Sequence, residues 1–206
     1  MSAIAPAPVS IGTTTPPPKQ PGVQPVRWTV DVFHRVNETG VFEGRRPLLI
    51  HGVLLEQGPM NPPHALALEL IPDLVRATFG AGWRVRAQLP LVLGLETDPL
   101  PDLAVLKGTP RGETSHPTSA SLILEVSDTT LTFDLTTKAE LYATAGVPDY
   151  WVLDLNGRVL HVLRDPQHIA ALGASAYQTH ETFGPDDTVA PLAAPHAAIR
   201  IADLLP

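Results

Sequence analysis

The chain has 206 residues, no cysteine and a formal charge of −7, which together suit one intracellular domain of α/β or α+β type with tails. Disulfide frameworks and thiolate metal sites are excluded, and the acidic balance opposes a broadly electropositive nucleic-acid surface. No stretch approaches the length of a membrane span, and Met1-Ser2-Ala3-Ile4-Ala5-Pro6 lacks the basic and apolar regions of a secretory signal. The expected location is the cytoplasm, with no membrane partner.

Residues 1–26 are rich in Pro and Thr, centred on Thr13-Thr14-Thr15-Pro16-Pro17-Pro18. They carry too few large apolar groups to offset chain entropy, which predicts a disordered tail ahead of a domain over 27–206. Order is expected from Trp28, with Thr29 as N-cap of a short helix carrying Val32, Phe33 and Val36. Leu48-Leu49-Ile50 and Val53-Leu54-Leu55 flank His51-Gly52 and read as a hairpin.

Asn61-Pro62-Pro63 opens a helix from about His64 to Phe79, ended by Gly80. Leu66, Leu70, Leu74 and Ala77 form its apolar stripe, and Pro72 should kink or divide it. Strands are expected over 83–93, 103–106 and 122–126. A second helix over 134–145 closes at Gly146. Residues 150–155 and 158–163 read as a hairpin across Asn156-Gly157. A further strand near 177–182 precedes an apolar tail from Ile199 to Leu205 that should dock on the core. This order of elements predicts a mixed sheet with helices on its faces.

Three positions carry chemistry. Asp102 and Glu125 each lie at the end of, or within, an apolar run that reads as a buried strand, where a carboxylate is costly without a counter-charge. Alternation puts Asp102, Ala104 and Leu106 on one face, and Ser121, Ile123, Glu125 and Ser127 on one face of the other strand. If the strands pair, the two carboxylates converge at one sheet edge. With Lys138 they are the minimum set for holding a divalent cation against a phosphodiester. Taken singly, Asp102 reads as a turn residue after Pro101. Lys138 reads as half of an i,i+4 pair with Asp134 on a solvated helix face.

Secondary candidates are His64 at the helix start, Glu56 or Glu69 as a further carboxylate, and Tyr142, one turn beyond Lys138. Each has an ordinary reading: a capping or surface histidine, surface glutamates, and a core-packing tyrosine with its hydroxyl at the rim. Asp154 is expected to serve the turn that follows it. The other histidines show no metal-ligand spacing, and no Gly-rich phosphate loop or nucleophile elbow is present.

Residues 28–205 resemble the Uma-type restriction endonuclease-like family, a branch of the PD-(D/E)XK nuclease superfamily. The resemblance rests on Gly40-Val41-Phe42-Glu43-Gly44-Arg45-Arg46, His64, Pro101-Asp102-Leu103-Ala104-Val105, Leu124-Glu125-Val126-Ser127-Asp128, Asp134, Lys138, Tyr142 and Gly146-Val147-Pro148-Asp149-Tyr150-Trp151. It implies a restriction-endonuclease-like α/β (α+β) fold and Mg²⁺- or Mn²⁺-dependent hydrolysis of DNA phosphodiesters. Asp102 and Glu125 would be the metal ligands, and a homodimer is plausible on the same ground. The superfamily's usual lysine, two residues after the glutamate, is Ser127 here; the resemblance implies that the amine comes instead from the following helix, at Lys138. Leu48-Leu49-Ile50-His51-Gly52-Val53 and Leu100 also stand where relatives often carry acidic residues. These departures and the net acidity support the rival reading, a non-catalytic interaction or nucleic-acid-binding module that keeps the fold.

Overall fold

The computed structural model describes residues 22, 24–171 and 173–206. Most of the expected amino-terminal tail therefore lies outside the described residues; 24–29 have no regular structure. Helix α1 (Val30–Asn37) begins as expected, with Thr29 Oγ1 accepting from Val32 N at 3.3 Å. Strands β1 (Pro47–Ile50) and β2 (Val53–Glu56) make the first hairpin, with His51 and Gly52 both at positive φ in its turn.

The main sheet has six strands: β3 (Trp83–Ala87), β4 (Leu103–Lys107), β5 (Leu122–Ser127), β6 (Asp149–Asp154), β7 (Val159–Ile169) and β8 (Ala174–Phe183). They lie side by side in that order. Every pairing is antiparallel except β5 with β6. A parallel step needs a crossover, and here it is the helix made of α3 (Leu131–Phe133), a π turn (Asp134–Lys138) and α4 (Ala139–Thr144). The crossover thereby lays Asp134, Lys138 and Tyr142 over the face of β5 that carries Glu125.

Alternation along the central strands divides the core in two. Leu103, Val105, Leu122, Leu124, Val126, Trp151 and Leu153 pack under helix α2 (Pro62–Phe79) and the carboxy-terminal segment, where β9 (Thr188–Val189) pairs with β10 (Ile199–Arg200). Ile199, Ile201, Leu204 and Leu205 are buried there, so the tail docks as its composition predicts. On the opposite face Ala104, Leu106, Ile123, Tyr150 and Val152 pack with Leu141, Tyr142 and the β1–β2 hairpin. Asp149 is fully buried and structural: it accepts from Trp151 Nε1, Arg164 Nε and Leu192 N at 2.7–2.8 Å.

Four expectations are corrected. The buried stripe of α2 is Ala67, Ile71, Val75 and Phe79, whereas Leu66 and Leu70 are 46% and 44% exposed. The helix runs unbroken through Pro72, which sits buried on the packed face. The strand read over 83–93 ends at Ala87, because Gln88 takes φ +52° and its N–H turns to the carbonyls of Pro101 and Asp102. The β6–β7 turn has four residues rather than two. Asp154 Oδ1 accepts from Asn156 N and Gly157 N, a Cβ at 157 would collide with that carboxylate, and Arg158 takes the left-handed conformation.

The corrected stripe is testable by urea unfolding. Ile71→Ala should cost roughly 2–5 kcal/mol through the cavity it leaves. Leu66→Ala, on the wet side of the same helix, should cost less than about 1 kcal/mol. Similar losses for the two would put the helix in the wrong rotation.

Candidate active site

Asp102 and Glu125 meet where the β4–β5 ladder ends. The last paired residues are Leu103 and Leu124, so Asp102 stands opposite Glu125. Beyond that point side chains replace the ladder. Val126 N donates to Asp102 Oδ2 at 2.9 Å, and Asp102 N donates to Glu125 Oε2 at 3.2 Å. Asp102 is 2% exposed and Glu125 0%. The expected convergence of the two carboxylates is what the register produces.

Lys138 and Asp134 do form an i,i+4 pair, at 2.9 Å, but the helix face is not solvated: Asp134 is 1% exposed and Lys138 8%. Lys138 Nζ lies 2.9 Å from Glu125 Oε2 as well. The π turn that spans both residues widens the helix at this point. Tyr142 is fully buried rather than at the rim, and its hydroxyl donates to Glu125 Oε1 at 2.7 Å. Tyr150, packed on Tyr142 at 5.0 Å, donates to the Asp134 carbonyl and ties the π turn to the sheet.

His64 is neither a cap nor a surface residue. Its Nε2 lies 3.2 Å from Asp102 Oδ1, a close ionic contact without the alignment of a hydrogen bond. Asn61, the N-cap residue of α2, leaves the helix end uncapped and donates instead to Asp128 Oδ2 at 2.8 Å. That bond moors the helix start and places His64 beside Asp102. Gln88, bent back by its positive φ, donates Nε2 to Asp102 Oδ1 at 3.3 Å.

Gln88 and Asn61 are residues that sequence reasoning missed; Asp134 is read there as the partner of Lys138 and as one of the residues of the resemblance, without a role at the site. Their one legible signal was position: a helix-start Asn and an Asp four residues before the lysine. Glu56 is engaged by Arg45 and does not join the pair, while Glu69 is exposed on α2. Ser127, on the Glu125 face, is buried with no partner for its hydroxyl among the described residues.

Asp102, Lys138, His64 and Gln88 line a cavity of about 400 Å³, walled by Phe133 and Leu55 and bordered by Arg46, Glu56 and Asp128. Burial pushes the Glu125 carboxyl up to about 7; Lys138 opposes this, while Asp102 and Asp134 add to it. Burial works against the Lys138 charge too, but Glu125, Asp134 and Asp102 outweigh it and hold the ammonium above its usual range. Burial also disfavours the charged forms of Asp102 and His64, yet their contact prevails, so Asp102 is lowered and His64 raised.

Among the described residues no three His, Cys, Asp or Glu side chains gather as a metal cluster. The two carboxylates fit a smaller demand. Oxygen-only donors suit Mg²⁺ or Mn²⁺, which keep several waters and take further ligands from a bound phosphate.

The family described as "Uma2: Putative restriction endonuclease" matches residues 25–202. The chain belongs to that family. A solved structure from Anabaena variabilis ATCC 29413, described as "a putative nuclease belonging to DUF820", shares the fold. Its TM-score is 0.64 at 18% identity, over 86% of this chain and 97% of that one. No curated protein matches the chain. The α/β fold with a mixed six-stranded sheet is thus that of a nuclease-like Uma2 protein. Among the described residues no helix is long and apolar enough to cross a membrane.

The raised Glu125 carboxyl makes folding pH-dependent. A carboxyl raised from about 4.3 in the unfolded chain binds more protons when folded, so its contribution is full below that value and is lost as pH rises through about 7. His64, also raised, acts in the same direction above its unfolded value of about 6.5. In chelator-treated buffer the wild type should lose on the order of 3 kcal/mol between about pH 5 and 8. Glu125→Gln should flatten that decline. Urea midpoints across this window decide it, and parallel curves for the two proteins would contradict the assignment.

Proposed function

We propose that this Uma2 protein is a metal-dependent endonuclease that hydrolyses DNA phosphodiesters, with Asp102 and Glu125 as ligands of Mg²⁺ or Mn²⁺ and Lys138 as the catalytic cation. The observation that carries the reading is the convergence of those three side chains: Lys138 Nζ lies 2.9 Å from Glu125 Oε2, and that same oxygen accepts from Asp102 N. When bound, the ion would supply Lewis-acid polarisation of the phosphate and a more acidic water.

The chain's own groups do the rest. Lys138 stays protonated, which suits it to stabilise negative charge developing on the phosphate or on the attacking oxygen, not to take up a proton. Tyr142 fixes one oxygen of Glu125 and leaves the carboxylate a single orientation. Gln88 and His64 both hold Asp102 Oδ1 from the cavity side. His64 would act as a positioning residue that shares the negative charge of Asp102, and as a proton donor to the leaving oxygen if substrate brings that atom within reach.

The rival, a non-catalytic nucleic-acid-binding or interaction module, has one observation in its favour. Both oxygens of Glu125 already have partners within the chain. Mn²⁺ calorimetry and cleavage of plasmid and single-stranded circular DNA separate the two readings.

The expected result is Mn²⁺ binding and Mn²⁺- or Mg²⁺-dependent cleavage by the wild type. Asp102→Ala and Glu125→Gln should lose binding and lower cleavage by at least about a hundredfold. Lys138→Met should lower cleavage at least about tenfold while Mn²⁺ still binds. Unfolding checks accompany it, because stranding a buried carboxylate costs about 3–5 kcal/mol. A folded wild type that binds no metal and cuts nothing would leave the rival in place.

A further inference from the structure

The cavity that holds Asp102 and Lys138 adjoins two others. Arg46 stands in its wall and also in the wall of a second cavity of about 380 Å³. His34 and His116 line that second cavity and a third of about 670 Å³. Each space is of the size that encloses a small organic group. The shared residues place the three cavities side by side, with Arg46 between the first and second and the two histidines between the second and third.

The cations along this path are scarce. Arg27, Arg35, Arg45, Arg76, Arg84, Arg164, Arg200 and Lys138 are each ion-paired with a carboxylate. Arg46, Arg86, Lys107, Arg111 and Arg158 have no ion pair among the described residues, and of these Arg46 alone lines the compartments. Duplex binding draws its strength from many phosphate contacts. One guanidinium on a chain of net charge −7 does not supply them.

A single strand needs less charge, because its bases stack on ring faces. His34 and His116 offer such faces, edge to face at 5.5 Å. His34 is pinned: its Nε2 lies 2.7 Å from Oδ2 of the buried Asp98, and Phe33 backs its ring at 5.6 Å. Of the carboxylates that face the path, Glu56 is paired with Arg45 and Glu113 with Arg84, Asp98 contacts His34, and Asp128 accepts from Asn61 and Asn156 with no ion pair among the described residues. Glu38, in the second compartment, has no such partner.

Access points the same way. The side chains of Asp102 and Lys138 are 4% and 11% exposed, so a reacting phosphate must enter the first compartment. An unpaired strand can bend a phosphate inward, whereas a stacked duplex presents its phosphates on a stiff outer rim.

Resting on the nuclease reading above, we propose that the site takes an unpaired DNA strand, whose backbone crosses Arg46 and whose neighbouring bases lie against His34 and His116. Fluorescence anisotropy with Ca²⁺ in place of Mg²⁺ tests it, using a labelled oligo-dT of about 12 nucleotides and a blunt hairpin duplex of about 12 base pairs. The single strand should bind at least about tenfold more tightly than the duplex. Arg46→Glu and His116→Ala, both at sites that leave the core untouched, should each weaken single-strand binding about fivefold or more. Glu38→Gln should tighten it by about twofold.

Duplex bound as tightly as single strand, or unchanged binding in Arg46→Glu, would overturn the proposal. Cleavage of both DNAs in Mn²⁺ is scored apart from binding. Equal cutting of duplex and single strand keeps the nuclease and overturns the strand path. Selective single-strand binding with no cleavage of either keeps the path and overturns the nuclease reading.

Discussion

A carboxylate with no solvent exposure on the central strand β5 is the constraint around which this molecule is built. Leu124 and Val126, the neighbours of Glu125, point to one apolar layer, and Glu125 points into the other beside Ile123, Tyr150 and Val152. An isolated charge there would cost several kcal/mol. The chain meets that cost with an ammonium, a phenol and a backbone N–H, each from a different element: the π turn, α4 and the start of β4. Those three contacts fix the crossover helix against the sheet. They also bind β4 to β5 past the end of their ladder, and they set the helix rotation that sends Lys138 inward.

The same arrangement leaves the site with more negative than positive neighbours. Asp102, Glu125 and Asp134 face one firmly charged lysine, and His64 shares only the charge of Asp102. Glu125 responds by holding its proton to about 7. Like charges gathered in low dielectric repel unless a further cation arrives. A pair of oxygen donors in surplus of negative charge is consistent with the divalent ion proposed above, while the phenol, ammonium and backbone N–H give both oxygens of Glu125 internal partners. Both properties come from one set of contacts.

Much of this was legible in the chain itself. Period-two alternation put Asp102 and Glu125 on definite faces of their strands, but that β4 and β5 pair was a condition of the reading and not its result. The helix–strand order, Gly80, Gly146 and the docking tail were read from punctuation and apolar content. The rotation of α2 was not. Leu66-Leu70-Leu74 and Ala67-Ile71-Val75 are apolar rows one residue apart, and only contact with the sheet decides which is buried. The expected solvated face of Lys138 failed for a related reason. An i,i+4 acid–base pair looks the same in sequence whether it lies in water or over a buried glutamate, and nothing local announces a π turn.

His64 and Gln88 show where local signals end and three-dimensional ones begin. Each sits at the end of an element, one in the first turn of a long helix and one just after a strand, and each turns toward Asp102 where another contact moors its backbone: Asn61 to Asp128 in one case, Gln88 N to the Pro101 and Asp102 carbonyls in the other. The left-handed φ of Gln88 is a conformation that a non-glycine residue holds at some cost. A relaxed strand continuing to 93 would point this amide elsewhere and leave Asp102 Oδ1 without its Nε2 donor. The strain is kept because β3 must stop where the β4 carboxylate begins. The break in the expected strand and the orientation of the candidate ligand are one feature.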